Sequence, residues 1–386
     1  MIQRTFWKDR IKDLWNEKTV IWLSGVRRVG KTFLSQSLSD AEYFDCELPR
    51  TRKILEDPED FLDSVKGKRI ILDEIHRLPN PSELLKIAAD YYPTTHILAT
   101  GSSTLGASYK FRDTLTGRKK ELWLTPMNLF DLKNFENEDF LHRFLYGGLP
   151  PFFMSYKIPE KNFQEWIDAY WAKDIQELFR LERHYSFQKF FELLMAQSGG
   201  IFEATKFSKI CEVSRTTISN YLKVLEATFV VHIVRPFTTH KATEIVSAPK
   251  VYGFDTGFIC YHRGIINLRP EDYGFLWEHF VLNELHSQLQ IRDIFYWRDK
   301  RGHEVDFVIK ERGAVPIIIE CKWKLNTEDI VGRNIKAFLR QYPDSQVYIV
   351  SSDTKRTYYR KYGAISITII SLPSLIKVLM EREMGS

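Results

Sequence analysis

The chain has 386 residues, room for two or three domains, and is 44% hydrophobic and 14% aromatic, which excludes a disordered or low-complexity protein. Its 55 Lys and Arg against 50 Asp and Glu leave a formal charge of +5, a balance that permits nucleic-acid contact without requiring it. The start, MIQRTFWKDRIKDLW, is charged and amphipathic, unlike a secretory leader. No apolar run approaches the ~18 residues of a membrane span. The expectation is a cytoplasmic protein with no membrane partner. Phe6 to Glu17 reads as a helix with Ile11, Leu14 and Trp15 on one face.

Val20 to Leu38 is the stretch around which the chain is organised. An apolar strand runs into Gly25-Val26-Arg27-Arg28-Val29-Gly30-Lys31-Thr32, and a helical pattern begins at Phe33. This is G-x-x-x-x-G-K-[ST] in its required setting of strand, loop and helix. Glycines let the backbone turn tightly and aim successive N–H groups at a phosphate before a helix N-terminus. Gly25 to Phe33 is therefore the predicted cradle for ATP. Lys31 would reach the β- and γ-phosphates and the Thr32 hydroxyl would sit on Mg²⁺.

A second strand, Lys68 to Leu72, ends in Asp73-Glu74, followed by Ile75-His76-Arg77. Asp73 would hold Mg²⁺ and Glu74 would act as general base on the attacking water. The next strand, His96 to Thr100, leads into Gly101-Ser102-Ser103. Ser102, then Ser103, is the candidate to touch the γ-phosphate, because such sheets bind ligands beyond the carboxyl ends of their strands. A serine capping the following helix is the alternative.

These motifs, with Leu115-Thr116-Gly117-Arg118, Leu124-Thr125-Pro126-Met127 and Tyr146-Gly147-Gly148-Leu149-Pro150, resemble the bacterial and archaeal AAA-type ATPases of the "AAA superfamily-like" group. The resemblance implies that Arg118, before Arg112, neutralises transition-state charge in its own subunit or a neighbour's. It admits a homo-oligomer without fixing its stoichiometry.

Pro150 and Pro151 break the chain, and Phe163 to Glu182 reads as a lid or linker helix with aromatics packed as core. Phe187 to Met195, Phe207 to Cys211 and Arg215 to Ala227 read as three helices, with Phe229 to Arg235 as a strand. That is helix-turn-helix order with a wing. Ser214 would cap the third helix. Arg215, Thr216, Thr217, Ser219, Asn220 and Lys223 would face outward as DNA contacts, although such folds also serve purely structural roles. Ala248 to Gly257, containing Pro249-Lys250-Val251-Tyr252 and Asp255-Thr256-Gly257, is similar to a signature joining the halves of the same family. It reads as an edge strand closed by an Asp-initiated turn.

Phe275 to Leu285 reads as an amphipathic helix carrying Glu278. Strands follow at Ile294–Arg298, Arg301–Ile309 and Val315–Lys322, with a turn around Arg312-Gly313. Glu320 and Lys322, two apart, share a face while Cys321 points away, and Asp306 lies at a corresponding place in the preceding strand. Asp306 and Glu320 could bind Mg²⁺ and generate hydroxide, with Lys322 placing the water or stabilising the phosphorane. The arrangement resembles restriction-endonuclease-like nucleases and the C-terminal domain usually fused to the ATPases above. On that resemblance Glu278 is the helix-borne acid. An active nuclease, a DNA-binding relic and a protein-interaction domain all remain open. Cys46, Cys211, Cys260 and Cys321 stand singly, which suggests neither zinc nor disulfides.

The predicted fold is α/β: a P-loop parallel-sheet ATPase over 1–149, a helical lid over 150–185, a winged helix over 186–255 and an α/β restriction-endonuclease-like domain over 256–386. The predicted function is ATP hydrolysis coupled to DNA binding. Its rival is a nucleotide switch acting on a protein partner, and a third reading makes the nuclease the effector of a defence or mobile-element factor.

Overall fold

A computed structural model describes residues 3–101, 113–155, 157, 160–176, 183–238, 248–311, 313–325, 332–362 and 365–383. The chain divides into two compact units. The first takes Met1–Asp139, Gly148–His184 and Leu222–Val230; the second takes Phe140–Gly147, Tyr185–Tyr221 and Val231–Ser386.

The first unit is built on a parallel sheet. Helix α1 (Thr5–Glu17) buries Trp7, Ile11, Leu14 and Trp15, the i, i+4, i+7, i+8 stripe of a surface helix. Strand β1 (Val20–Ser24) is buried at every position, as expected of a strand covered on both faces. Helix α2 (Lys31–Gln36) follows, then β2 (Glu42–Asp45), β3 (Arg69–Asp73), α3 (Pro81–Tyr91), β4 (His96–Thr100) and β5 (Lys119–Trp123). The strand order is β2-β3-β4-β1-β5, with all pairs parallel. Leu23 pairs with Thr100 and Leu72 with Ala99, so the carboxyl ends of β1, β3 and β4 come out at one edge. Trp22, Leu72, Ala99, Leu85 and Phe61 belong to one core beside the sheet.

Helix α4 (Leu129–Asn134) starts in a capping box in which Asn128 and Asp131 satisfy each other's backbone N–H groups. Helix α5 (Glu160–Tyr170) buries Phe163, Trp166, Ile167 and Tyr170, so these aromatics are core. The expected uninterrupted helix instead widens to a π-helical turn at Trp171–Gln176; residues 177–182 lie outside the described ones.

The second unit holds a nine-stranded mixed sheet. Its first part contains α6 (His184–Ala196), β6 (Gly200–Ile201), α7 (Ala204–Ile210), α8 (Arg215–Ala227) and β7 (Val231–Pro236). Phe187 packs edge-on to Tyr221 at 5.1 Å and Phe190 to Phe207 at 5.3 Å, which ties the three helices through aromatic contacts. Then come β8 (Lys250–Gly253), α9 (Thr256–His262), α10 (Pro270–Leu289), β9 (Ile294–Arg298), β10 (Glu304–Ile309) and β11 (Ile317–Lys322). Helix α11 (Arg333–Gln341), β12 (Gln346–Ser351), β13 (Tyr358–Tyr362), β14 (Ile365–Ile370) and α12 (Leu372–Glu383) complete it. The order is β13-β14-β12-β11-β10-β9-β7-β8-β6.

Two expectations are corrected. Strand β8 is not an edge: it pairs antiparallel with β7 on one side and β6 on the other. Asp255 caps α9, accepting from Gly257 N at 3.0 Å. Nor is α10 amphipathic. From Leu276 to Leu289 every residue but Glu278 is buried, because the helix is covered by β11, α12 and the helix Phe140–Tyr146.

Candidate functional site

At the carboxyl edge of the first sheet, the loop after β1 takes the shape its glycines permit. Gly25 has φ +140° and Gly30 φ +100°, and Arg28 also sits at positive φ, +61°. A Cβ on Gly25 would lie 2.3 Å from the Leu124 carbonyl oxygen, so only glycine fits. Lys31 Nζ donates to the Gly25 and Val26 carbonyls at 2.9 and 3.3 Å. Burial draws its pKa down from the ordinary lysine value, against the pull of Glu74 and Asp174. Thr32 and Phe33 are exposed.

The second acidic pair stands beside this loop. Asp73 is buried, and Tyr43 OH donates to its Oδ2 at 2.6 Å while Thr100 Oγ1 donates to its Oδ1. Glu74 occupies the left-handed region at φ 54°, ψ 42°, an uncommon conformation for a side-chain-bearing residue. Its N–H donates to Thr100 Oγ1 at 3.2 Å, and His76 Nδ1 lies 3.1 Å from its Oε2. Burial raises the Glu74 pKa, but the His76 hydrogen bond and the charges of Lys31 and His76 outweigh it, and the net shift is downward. The carboxyl is therefore held as carboxylate. A cavity of about 820 Å³ opens here, lined by Gly30, Lys31, Thr32, Glu74, His76, Arg27 and Arg77 among others.

Residues remote in sequence brace the loop. Arg4, 2% exposed, donates to both Asp131 oxygens and from Nη1 to the Val29 carbonyl at 2.8 Å. Arg27 Nε meets Asp174 Oδ2 at 2.9 Å, and Trp166 Nε1 donates to the Arg27 carbonyl at 3.0 Å. Sequence reading missed Arg4, Asp131, Asp174 and Thr100. Only Thr100 left a local signal, a hydroxyl at the carboxyl end of an apolar strand.

Arg118 is not brought to this cavity. It stands just before Lys119, which pairs with Val20 at the amino end of β1, about 13 Å along the strand from Ser24 at 3.3 Å per residue. Its Nε is engaged by Asp90 Oδ1 at 2.7 Å. Ser102, Ser103 and Arg112 lie outside the described residues.

Residues 17–132 match a family model described as an AAA domain. The N-terminal segment is an AAA-type domain. Its cradle, Gly25 to Thr32, is that of a nucleotide-binding P-loop. Two further models, both described as domains of unknown function (DUF8612 and DUF4143), match residues 137–269 and 273–375. The chain is 26% identical to "Uncharacterized protein Rv2008c" of Mycobacterium tuberculosis, over 97% of this chain and 84% of that protein. It is 24% identical to "Uncharacterized protein MJ1544" of Methanocaldococcus jannaschii, over 96% and 88% respectively. Among solved structures, the Walker-type ATPase PABY2304 of Pyrococcus abyssi is 15% identical, with a TM-score of 0.44, covering 68% of this chain and 96% of that one.

Beyond the AAA-type domain, the second unit carries its own cluster of charges. Phe307 pairs with Ile319, which puts Asp306 and Glu320 side by side on adjacent strands. Asp306 Oδ2 accepts from Cys321 N at 2.7 Å, and Lys322 Nζ meets Glu320 Oε1 at 2.8 Å. Glu320 is 5% exposed and its Oε2 has no hydrogen-bond partner among the described residues. From α10, Glu278 Oε1 accepts from Tyr252 OH at 2.5 Å.

Lys250, buried on β8, reaches Glu304 Oε1 at 2.5 Å and Glu278 Oε1 at 3.8 Å. Burial lowers the lysine pKa, but Glu278 and Glu304 reverse this and hold it above the usual value. Burial, with the charge of Asp306, lifts Glu278 to about 7 and Glu320 to about 8. Asp306 is raised too, mainly by burial. Among the described residues, no group of three or more His, Cys, Asp and Glu side chains is arranged to hold a metal ion.

The segment after Lys250 has a structural part. Asp255 and Thr256 receive Arg143, whose Nη1 donates to Thr256 Oγ1 at 2.9 Å and lies 3.6 Å from Asp255 Oδ2. A Cβ on Gly147 would fall 2.0 Å from Asp255 Oδ1. Two of the motifs that carry the family resemblance therefore lock together in the second unit. On α8, Arg215, Thr216, Asn220 and Lys223 are exposed, whereas Thr217 and Ser219 are half-buried. Ser214 Oγ caps the helix, accepting from Thr217 N at 3.0 Å. Among the described residues, no helix is long and apolar enough to cross a membrane.

Proposed function

We propose that the protein hydrolyses ATP in the AAA-type domain and that its nucleotide state governs engagement of DNA. The observation that carries the first half is the cavity of about 820 Å³ where Lys31, Thr32 and Glu74 converge beside a loop built for close backbone approach. Those residues fit a triphosphate with Mg²⁺: the loop amides and Lys31 take the phosphates, and Thr32 and Asp73 hold the ion. Mg²⁺, when bound, draws charge from the phosphate oxygens. Glu74 is held ionised beside His76, so it accepts the proton of an attacking water. Lys31→Ala should abolish nucleotide binding. Glu74→Gln should retain it and lower turnover about 10²-fold or more; parental turnover would remove Glu74 from this role.

Support for the DNA half is the order of α6, α7 and α8 followed by the β7–β8 hairpin, with Arg215, Thr216, Asn220 and Lys223 exposed along α8. Side chains of these types bind phosphates and base edges. Arg215→Ala with Lys223→Ala should weaken duplex affinity and flatten its salt dependence. Arg118, placed away from its own cavity, is assigned no part within its own subunit. A part in a neighbour's site requires a homo-oligomer, which sedimentation of the ATP-bound Glu74→Gln protein tests.

The C-terminal cluster supports cleavage through Asp306, Glu320 and Lys322 on adjacent strands. A second reading, a non-cleaving binding domain acting on DNA or a protein partner, is favoured by Lys250. Its ammonium already supplies, between Glu278 and Glu304, the positive charge that a divalent ion would bring. Plasmid incubated with Mg²⁺ or Mn²⁺, with and without ATP, separates the two. Nicking that is absent from Lys322→Ala establishes cleavage, and intact plasmid with DNA-stimulated ATP hydrolysis establishes the binding domain.

A further inference from the structure

A second cavity, of about 460 Å³, lies at the β9–β10 turn. It is lined by Arg298, Lys300 and Arg301 from the turn and by Arg340 from α11, over a wall that includes Trp297. The wall is rigid: Trp297 is 3% exposed and packs edge-on to the buried Phe338 of α11, ring centroids 5.2 Å apart.

The one acid on the lining, Asp299, is consumed by the turn. Its Oδ1 accepts from Arg301 N at 2.8 Å and His303 N at 2.9 Å, and its Oδ2 lies 2.7 Å from His303 Nδ1. The His303 hydrogen bond keeps the carboxyl below its ordinary pKa. Lys300, Arg301 and Arg340 are exposed and form no ion pair among the described residues. Helix α11 (RNIKAFLRQ) has three cations and no acid. Arg340 in its last turn also suits the helix dipole, but that reason does not extend to Lys300 and Arg301. Like charges brought around one concave wall without counter-charges repel one another, a cost that an anionic ligand offsets.

We propose that this cavity is a phosphate-binding site that takes a phosphodiester of a nucleic-acid strand. Arginine forks and a lysine on a fixed wall match phosphate oxygens, and the exposed rim admits a polymer passing over it. The polymeric source rests on the proposed DNA binding; the phosphate chemistry does not. The test compares the full chain with Lys300→Ala/Arg301→Ala/Arg340→Ala, using a duplex oligonucleotide in a salt series and pyrophosphate as a small probe. Circular dichroism and ATP hydrolysis without DNA serve as controls for folding.

The expected result is a roughly tenfold or greater loss of duplex affinity and a log K–log salt slope shallower by about two, each lost phosphate contact contributing about 0.9. Wild-type duplex binding that is unchanged in the triple variant overturns the site and leaves the DNA reading intact. If the wild type binds no duplex but binds pyrophosphate through these three residues, the DNA reading and the phosphodiester assignment both fall. If neither probe binds, the site falls outright.

Discussion

Arg4 and Asp131, 127 residues apart, form a two-armed buried ion pair, with Nε–Oδ1 at 2.8 Å and Nη2–Oδ2 at 2.5 Å. Asp131 also accepts from Trp7 Nε1 at 3.1 Å, and Arg4 also holds the Val29 carbonyl. One pair thus ties α1 and α4 to the phosphate loop. Breaking it from one side strands a buried charge, at a cost of about 3–5 kcal/mol. Asp131→Ala should therefore lower the denaturation midpoint and weaken nucleotide binding together. Arg4→Met/Asp131→Leu should recover much of the stability, because apolar replacements leave no stranded charge. It should not recover the affinity, since nothing then holds Val29. Calorimetric titration beside chemical denaturation checks both, and an Asp131→Ala protein as stable as wild type would show the pair to be idle.

Gly25→Ala is the sharpest test of the loop's geometry. The added carbon meets a backbone oxygen at 2.3 Å, at a φ of +140° that L side chains rarely adopt. Strain and overpacking together should cost about 3 kcal/mol or more. Gly117→Ala is the control: its φ is also positive, +73°, but nothing lies within 4 Å of an added Cβ. Gly25→Ala should lose nucleotide binding and lower the first melting transition, while Gly117→Ala binds nucleotide as wild type does. Equal effects in the two variants would contradict the argument from close approach.

The phosphate loop and the Asp73-Glu74 pair were legible because strand, turn and helix are contiguous, so spacing alone carried the chemistry. Arg4–Asp131, Arg27–Asp174 and Lys250–Glu304 were not, because an ion pair between distant segments leaves no local period. Lys250 did leave a trace. Lys250 and Tyr252 are two apart in a short strand, which puts two polar groups on one face, but only the pairing of β8 inside the sheet shows what that face meets. Helix α10 misled for the opposite reason. Its polar residues suggested a wet side, yet they are satisfied within the protein: His279 lies 2.7 Å from Ser198 Oγ through Nε2 and 2.7 Å from the Phe275 carbonyl through Nδ1.

Lys250→Met should destabilise the second unit, since it leaves Glu278 and Glu304 facing each other without their cation. The loss should be about 3 kcal/mol at pH 8, the lower end of the range for a broken buried pair, because both carboxyls are partly exposed. Glu278→Gln added to Lys250→Met should restore part of it, a coupling that a double-mutant cycle measures. Additive losses would mean that Lys250 acts through packing alone.

The pH dependence of the acid cluster has a defined sign. Glu320 is lifted to about 8 and Glu278 to about 7, chiefly by burial and then by Asp306. In the unfolded chain both return to the ordinary carboxyl value of about 4.3. Below that value both states carry the proton and the cluster costs nothing. As pH rises from about 4.5 to 8, the unfolded chain releases its protons first, so stability falls across that window and levels off above it. Glu320→Gln removes the titrating group that has an unpartnered buried oxygen. In buffer with EDTA its melting temperature should match that of wild type at pH 5 and exceed it at pH 8, by about 2 kcal/mol in stability terms. A wild-type curve flat from pH 5 to 8, or a Glu320→Gln advantage confined to pH 5, would mean that these carboxyls are hydrated and the cluster is open to water.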